Sequence, residues 1–235
     1  MDNREIRERF AALAAPHVAD ACIALSADVR AAADVRPLER GSRAAGRALP
    51  VEHFGSVDVF FEAMSAAAPG DVLVIDNGGR RDEGCIGDLT AVEAKAFGVS
   101  AIVVWGVHRD SGELRDIALP IFSLGSCPLG PRAARARKGL ALPESIGFGD
   151  ARVSRDDVVF ADEDGVLFVP ASVVPAVLDR AAEIARAEQQ QRRMVARGVT
   201  LHDQFEWPLY ESRRAVDPAY TLRQHLQSLN KAIET

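Results

Sequence analysis

The sequence predicts an α/β protein, and three observations carry that prediction. Two continuous apolar runs, VLVI at 72–75 and AIVVW at 101–105, have the composition of strands buried on both faces. Helix signals lie between them: Asp88 opens the segment, Thr90 and Glu93 have capping-box spacing, and Gly98 suits the position just past a helix end. The later part of the chain alternates short strand patterns with turns and then gives way to a long helical pattern. A strand, helix and strand in that order make a right-handed crossover with the two strands parallel. Ligands of open α/β sheets gather at the carboxyl ends of such strands.

The elements follow in order. Residues 3–14 form an amphipathic helix through Ile6, Phe10 and Leu13, Pro16 interrupts it, and 17–25 begin a second helix. His17 and Asp20 serve there as capping and surface groups. Residues 28–45 are a connection, and a strand starts at Gly46. Residues 56–67 carry Val57, Phe60, Phe61 and Met64 at helical spacing, with Ser56 as the cap and Pro69-Gly70 as the stop. After the strand at 72–75, residues 76–79 are a loop in which two glycines supply unusual backbone angles. Shorter strands follow at 120–124, near 146, at 158–162 and at 166–170. Asp162, Glu163, Asp164 and Gly165 make the hairpin turn between the last two, a segment too short for an EF-hand.

Ser172 caps a helix that runs to about Arg197, with Pro175 tolerated in its first turn. Val177, Ala181 and Ile184 form its apolar line, which continues to Glu188. An acid on such a line takes an ion, an arginine or a neighbouring subunit as partner, or the helix emerges into solvent there. Residues 199–235 change character, with both tyrosines, a tryptophan and alternating charges. That tail is too small to bury its own core and reads as an arm laid over a neighbour, so the chain divides into a domain at 1–198 and a C-terminal arm at 199–235.

Composition excludes several classes. A formal charge of −6 lacks the basic footprint that nucleic acid requires. The longest apolar run is far too short to span a bilayer, and no signal-peptide order is present, so the expected setting is the reducing cytoplasm. Cys22, Cys85 and Cys127 are odd in number and have no zinc spacing, which argues against both a zinc site and a disulfide framework.

The chemistry concentrates in residues 70–114. Asp88, Arg109, Asp110 and Glu113 follow the spacing D-x20-R-D-x2-E and fall at predicted strand ends. Arg109 can hold a carboxylate through two parallel hydrogen bonds. Asp110 offers a hard oxygen to Mg²⁺ or Mn²⁺, ions that keep several waters and bind few carboxylates. The turn Gly87-Asp88-Leu89-Thr90 aims backbone N–H groups and a positive helix end at an anion. The alternative is a helix cap at Asp88, a surface ion pair between Arg109 and Asp110, and a solvated Glu113.

The stretches PGDVLVIDNGG, GDL and GVHRDSGEL resemble the RraA-like superfamily, which includes metal-dependent 4-hydroxy-4-methyl-2-oxoglutarate and 4-carboxy-4-hydroxy-2-oxoadipate aldolases. The similarity covers roughly residues 15–195 and is strongest from 69 to 125. It implies a β/β/α swivelling-type domain with a C-terminal helix and extended tail, assembled as homotrimers or homohexamers with sites between subunits. It implies a class II lyase acting on 2-oxo acids through a pyruvate enolate, by retro-aldol cleavage, oxaloacetate decarboxylation, or both. By motif position Asp110 is then the metal ligand, with Glu113 assisting through water. Arg109 binds the substrate carboxylate and oxo group, the amides of Gly87, Asp88, Leu89 and Thr90 hold pyruvate, and Asp88 orients the catalytic water. An acid from the neighbouring subunit's C-terminal helix completes the site, with Glu188 the candidate and Glu183 the other choice. Arg80, Arg81 and His108 lie near enough to affect substrate choice, although a solvated loop is the preferred reading of each. Lys95, Lys138 and Lys231 are the only lysines, and a Schiff-base mechanism is disfavoured. The superfamily also contains regulators that bind and inhibit a ribonuclease without chemistry; these tend to lack the acid after the motif arginine, which Asp110 supplies here.

Overall fold

The computed structural model describes residues 1–134 and 142–229. The chain opens with α1 (Asn3–Phe10) and α2 (Ala15–Ala24), then two short strands, β1 (Arg30–Ala32) and β2 (Arg36–Pro37). The next units are β3 (Ala44–Glu52), α3 (Asp58–Ser65), β4 (Val72–Gly84), α4 (Asp88–Ala96), β5 (Ala101–Val107), α5 (Ser111–Ile117) and β6 (Ile121–Ser123). A hairpin of β7 (Ser145–Phe148) and β8 (Ala151–Ser154) leads to β9 (Asp157–Asp162) and β10 (Gly165–Pro170). The long α6 (Val174–Ala196) follows, then α7 (Leu201–Gln204), α8 (Trp207–Val216) and α9 (Leu222–Ser228).

One sheet organises these elements in the order β1-β10-β9-β3-β4-β5-β6-β2. The β3–β4, β4–β5 and β5–β6 pairs are parallel, and the remaining pairs in that sheet are antiparallel. β1 and β2 are nearly consecutive in sequence yet occupy opposite edges of the sheet. The segment 30–37 therefore straps the two edges together and curls the sheet around a core. Arg36 Nη1 reinforces the closure by donating to the carbonyl of Asp164 at 3.3 Å.

Side-chain alternation explains why the predicted strands read as unbroken apolar runs. Val72, Val74, Ala101 and Val103 point into the curled sheet, against Ile146, Phe148 and Val153 of the β7–β8 hairpin. Leu73, Ile75, Ile102 and Val104 point outward beneath α3, α4 and α5. All eight strand residues are fully buried, and burying each valine, leucine or isoleucine among them stabilises the fold by about 1.5–3 kcal/mol. On the antiparallel half, Val158, Phe160, Leu167 and Val169 pack under α1, α2 and α6. The parallel unit and the hairpin at 162–165 are as the sequence implies, with Gly165 opposite Asp162.

Local expectations differ at several points. The connection at 28–45 contains β1 and β2, and β8 is a strand that no sequence pattern marks. Residues 76–79 are not a loop outside the sheet. They lie within β4, whose pairing with β5 shifts register on either side of Arg80, while Gly78 and Gly79 do adopt φ of 65° and 66°. Ser56 and Ser172 do not cap α3 and α6; Val57 and Val173 occupy those positions without a side-chain bond. Thr90 is buried in the first turn of α4, which starts two residues earlier behind Gly87. In each case packing sets the helix start, which outweighs a cap contribution of about 1 kcal/mol.

The tail after α6 is helical and clusters its aromatic groups. Trp207 and Tyr210 lie 5.0 Å apart, Tyr210 and His225 5.5 Å, and Leu226 is buried beside them. Gln204 ties the cluster to the end of α6 by donating to the carbonyls of Val199 and Gln191.

Candidate functional site

The bulged end of β4 determines where the site forms. Its register shifts carry Cys85–Gly87 across the end of β5, where Cys85 N–H donates to Val107 O at 2.8 Å and Arg109 N–H donates to Ile86 O at 2.9 Å. Two chain segments are thus joined side by side at the carboxyl ends of parallel strands. One becomes the N-terminus of α4; the other becomes the Arg109-Asp110 turn leading into α5.

Asp110 has φ 58° and ψ 43°, a left-handed conformation uncommon outside glycine and tolerated best by short polar side chains such as Asp. It makes no side-chain cap to α5. Its Oδ2 lies 3.3 Å from Arg109 Nε and accepts the N–H of Asp88 at 3.4 Å. Asp88 Oδ1 in turn accepts the N–H of Leu89 at 2.7 Å. Asp88, Arg109 and Asp110 therefore meet, as the sequence spacing implied. Two of the amides expected to face an anion are engaged by carboxylates of the chain itself, which mimic that anion.

Glycines let the backbone close on this cluster. A Cβ on Gly87 would lie 2.2 Å from Asp110 Oδ2 and 3.2 Å from Arg109 Nε. A Cβ on Gly130 would lie 2.6 Å from Arg109 Nη1, and one on Gly84 would lie 2.8 Å from Arg109 Cβ. The segment bearing Gly130 is fastened to β4 by Gly84 N–H donating to Leu129 O at 2.6 Å. Gly87 is expected at the site for its amide; Gly84 and Gly130 are not among the sequence-predicted site residues. The glycines of SLGSCPLG at 123–130 were the available sign of close backbone approach.

Among the described residues, no group of three or more His, Cys, Asp or Glu could cage a metal ion. The donor set is one half-exposed carboxylate, Asp110. That suits a hard ion retaining most of its waters, such as Mg²⁺ or Mn²⁺, and does not suit an all-protein cage. Glu113 sits exposed in the first turn of α5 and, among the described residues, pairs with no member of the cluster.

The other candidates are engaged elsewhere in the chain. Glu188 Oε2 lies 3.3 Å from His17 Nε2 and 3.5 Å from Arg192 Nη1, in the α2–α6 layer. Asp20 belongs to the same neighbourhood; burial, and then the Glu188 charge, push its carboxyl above the usual value. Glu183 pairs with Arg180 at 2.9 Å. Arg80 binds Asp82 and Glu83, and Arg81 donates to Leu124 O. His108 is buried, hydrogen-bonded to Ser111 and Ser123, and held below its ordinary pKa by burial and then by the charge of Arg115.

A family profile described as RraA-like, Aldolase/RraA, matches residues 15–168. The chain belongs to the RraA-like family. The matched span contains Asp88, Arg109, Asp110 and Glu113 and ends before α6, so Glu183 and Glu188 lie outside it. One family relative is a protein of Halalkalibacterium halodurans named "Putative 4-hydroxy-4-methyl-2-oxoglutarate aldolase". It is 28% identical over 167 residues, which is 70% of this chain and 78% of that protein. A relative of the same name from Alkalilimnicola ehrlichii is 34% identical over 116 residues, 49% of this chain and 70% of its own. The fold matches an uncharacterized protein of Pseudomonas syringae pv. tomato with TM-score 0.72 at 22% identity, covering 85% of this chain and 96% of that one. It also matches Streptomyces coelicolor RraAS2, described as an unusual member of the RNase ES inhibitor RraA family. There the TM-score is 0.70 at 24% identity, covering 82% and 99%. Among the described residues, no helix is long and apolar enough to cross a membrane.

Proposed function

We propose that this protein is a divalent-metal-dependent carbon–carbon lyase for 2-oxo acids, cleaving a hydroxy-oxo diacid, decarboxylating oxaloacetate, or both. The observation that carries the reading is the half-exposed Asp110 carboxylate, held between Arg109 and the first amide of α4, with the glycine backbone of Gly87 close beside it. In this reading Asp110 holds Mg²⁺ or Mn²⁺, with Glu113 assisting through water. When bound, the ion supplies Lewis-acid polarisation of the 2-oxo group, the electron sink that carbon–carbon cleavage requires.

The chain's own groups do the rest. Arg109 binds the substrate carboxylate and oxo oxygen through a charge-assisted pair of donors. The amides of Gly87, Asp88, Leu89 and Thr90 receive the pyruvate half, its carboxylate replacing the Asp88 oxygen now on Leu89 N–H. Asp88, freed from that contact, orients the water that protonates the new carbanion carbon. The working unit is a homotrimer or homohexamer in which Glu188, or Glu183, of one copy approaches the Asp110 site of the next, with residues 199–235 packing on a neighbour.

The test is a panel of 2-oxo acids, oxaloacetate included, assayed for pyruvate release with Mg²⁺ or Mn²⁺. Turnover that EDTA abolishes and added metal restores is expected. Absence of metal-dependent turnover across the panel, together with retention of a ribonuclease on the immobilised protein, would favour the inhibitor role named for the structural neighbours.

A further inference from the structure

We infer that His108 is a positioning residue that holds the Arg109-Asp110 turn in its left-handed shape, acting through Ser111 and Ser123. The functional part of the inference rests on the metal-site reading above. Asp110 needs such support. It occupies a conformation that side chains rarely adopt, it makes no side-chain cap, and the helix it starts is only seven residues long. His108 and Ser111 bracket the Arg109-Asp110 pair in sequence, and the imidazole reaches over it: Nε2 lies 2.9 Å from Ser111 Oγ and Nδ1 lies 2.8 Å from Ser123 Oγ.

Either neutral tautomer of His108 completes the chain: one ring nitrogen donates to a serine Oγ and the other accepts the opposite serine's hydroxyl. Ser123 Oγ also lies 3.1 Å from Gly125 O and accepts Gly125 N–H at 3.2 Å. Ser111, His108 and Ser123 thus form one hydrogen-bonded chain, and such a network, when buried, rigidifies its surroundings.

The backbone of His108 extends the clamp to the second wall of the site. Its N–H donates to Gly125 O at 3.0 Å and its carbonyl accepts Cys127 N–H at 2.8 Å. That segment continues to Leu129 and Gly130, which close on β4 and on the Arg109 guanidinium. One residue is thus wired to both sides of the Arg109-Asp110 pair. A cleft of about 270 Å³, lined in part by Arg36, Arg115 and Ser126, opens onto the imidazole.

The experiment compares wild type, His108→Ala and Ser111→Ala by three measurements. These are hydrogen exchange of peptides covering 109–114 and 124–130, Mn²⁺ affinity by titration, and kcat and KM on the best 2-oxo acid. His108→Ala is expected to speed exchange in those two peptides alone, and to weaken Mn²⁺ binding and kcat by about 10- to 100-fold, the usual cost of an outer-shell support. Ser111→Ala, which removes one hydroxyl from a half-exposed position, should move the same quantities less. The double variant should be no worse than His108→Ala, because the two act as one unit. Free imidazole entering the cleft should restore part of the affinity and rate to His108→Ala. Unchanged exchange at 109–114, or a loss spread over the whole protein that imidazole does not repair, would overturn the inference. Wild type that binds no Mn²⁺ would defeat the metal reading and with it the functional half of the inference, while the exchange comparison would still decide the clamp.

Discussion

Asp110 and Glu188 are both half-exposed carboxylates beside an arginine, in different layers of one fold, and the chain presents them in different ways. Around Asp110 the backbone of Gly87 comes close, and the amide of Asp88 donates to the carboxylate. Around Glu188 the neighbours are side chains, His17 and Arg192, both reaching the same oxygen, Oε2. The difference lies in the backbone more than in the charges. Where glycines and a left-handed turn present an acid, backbone amides and an arginine approach it; where helices α2 and α6 present it, its partners are side chains alone.

The sharpest way to break that contrast is to crowd the acid. Gly87→Ala is expected to lower turnover and Mn²⁺ binding by about 100-fold or more, since misplacing a reacting group by an ångström costs that much. Gly87 has φ −138°, which any residue can adopt, so the loss should come from collision with Asp110 and leave the melting temperature nearly unchanged. Calorimetry beside kinetics checks both halves.

A smaller effect, about tenfold, is expected from Glu188→Gln if its second oxygen serves a neighbouring copy. Mixing and reassembling Glu188→Gln with Asp110→Asn chains should then recover activity, because some sites in mixed oligomers inherit both intact acids. Failure to recover, with oligomers confirmed by light scattering, would confine Glu188 to its own chain.

The smallest effect belongs to Asp20. Burial and the Glu188 charge raise its carboxyl above the ordinary value, so its contribution to stability is complete below about pH 3.8 and is lost as the pH rises through the folded-state value. Asp20→Asn should therefore raise the melting temperature at pH 7 by about 1–3 °C, with the gain vanishing in strong acid. A gain independent of pH would assign it to packing.

Much of the site-forming half was legible in the sequence. The runs at 72–75 and 101–105 report burial on both faces, and strand ends joined by one helix must lie side by side, so Asp88 and Arg109-Asp110 could be brought together from spacing alone. The resemblance then supplied the chemistry. What was not legible depends on contacts between distant segments. Ser56, Thr90 and Ser172 carry valid local cap signals that packing overrides. β1 and β2 are too short to announce themselves and exist because two sheet edges need partners. The approach of Gly130 to Arg109 joins parts of the chain whose proximity no local pattern encodes, and His108, which reads from sequence as a solvated loop residue near the site, is buried with its ring bonded to Ser111 and Ser123.

The strap at residues 30–37 has a consequence for the chain as it is made. Arg30 pairs with Phe168, and the N-terminal helices lie under strands and a helix from the far end of the sequence. A ribosome delivers the first partner long before the second exists. The parallel unit at 72–107 can gather its own contacts early, whereas α1, α2 and β1 must wait, their apolar faces uncovered, until β10 has emerged. Such deferred long-range pairing is slow and exposes aggregation-prone surface in the interval. A nascent chain halted before residue 165 should therefore be protease-sensitive at its N-terminus, and one extended past α6 should be protected there.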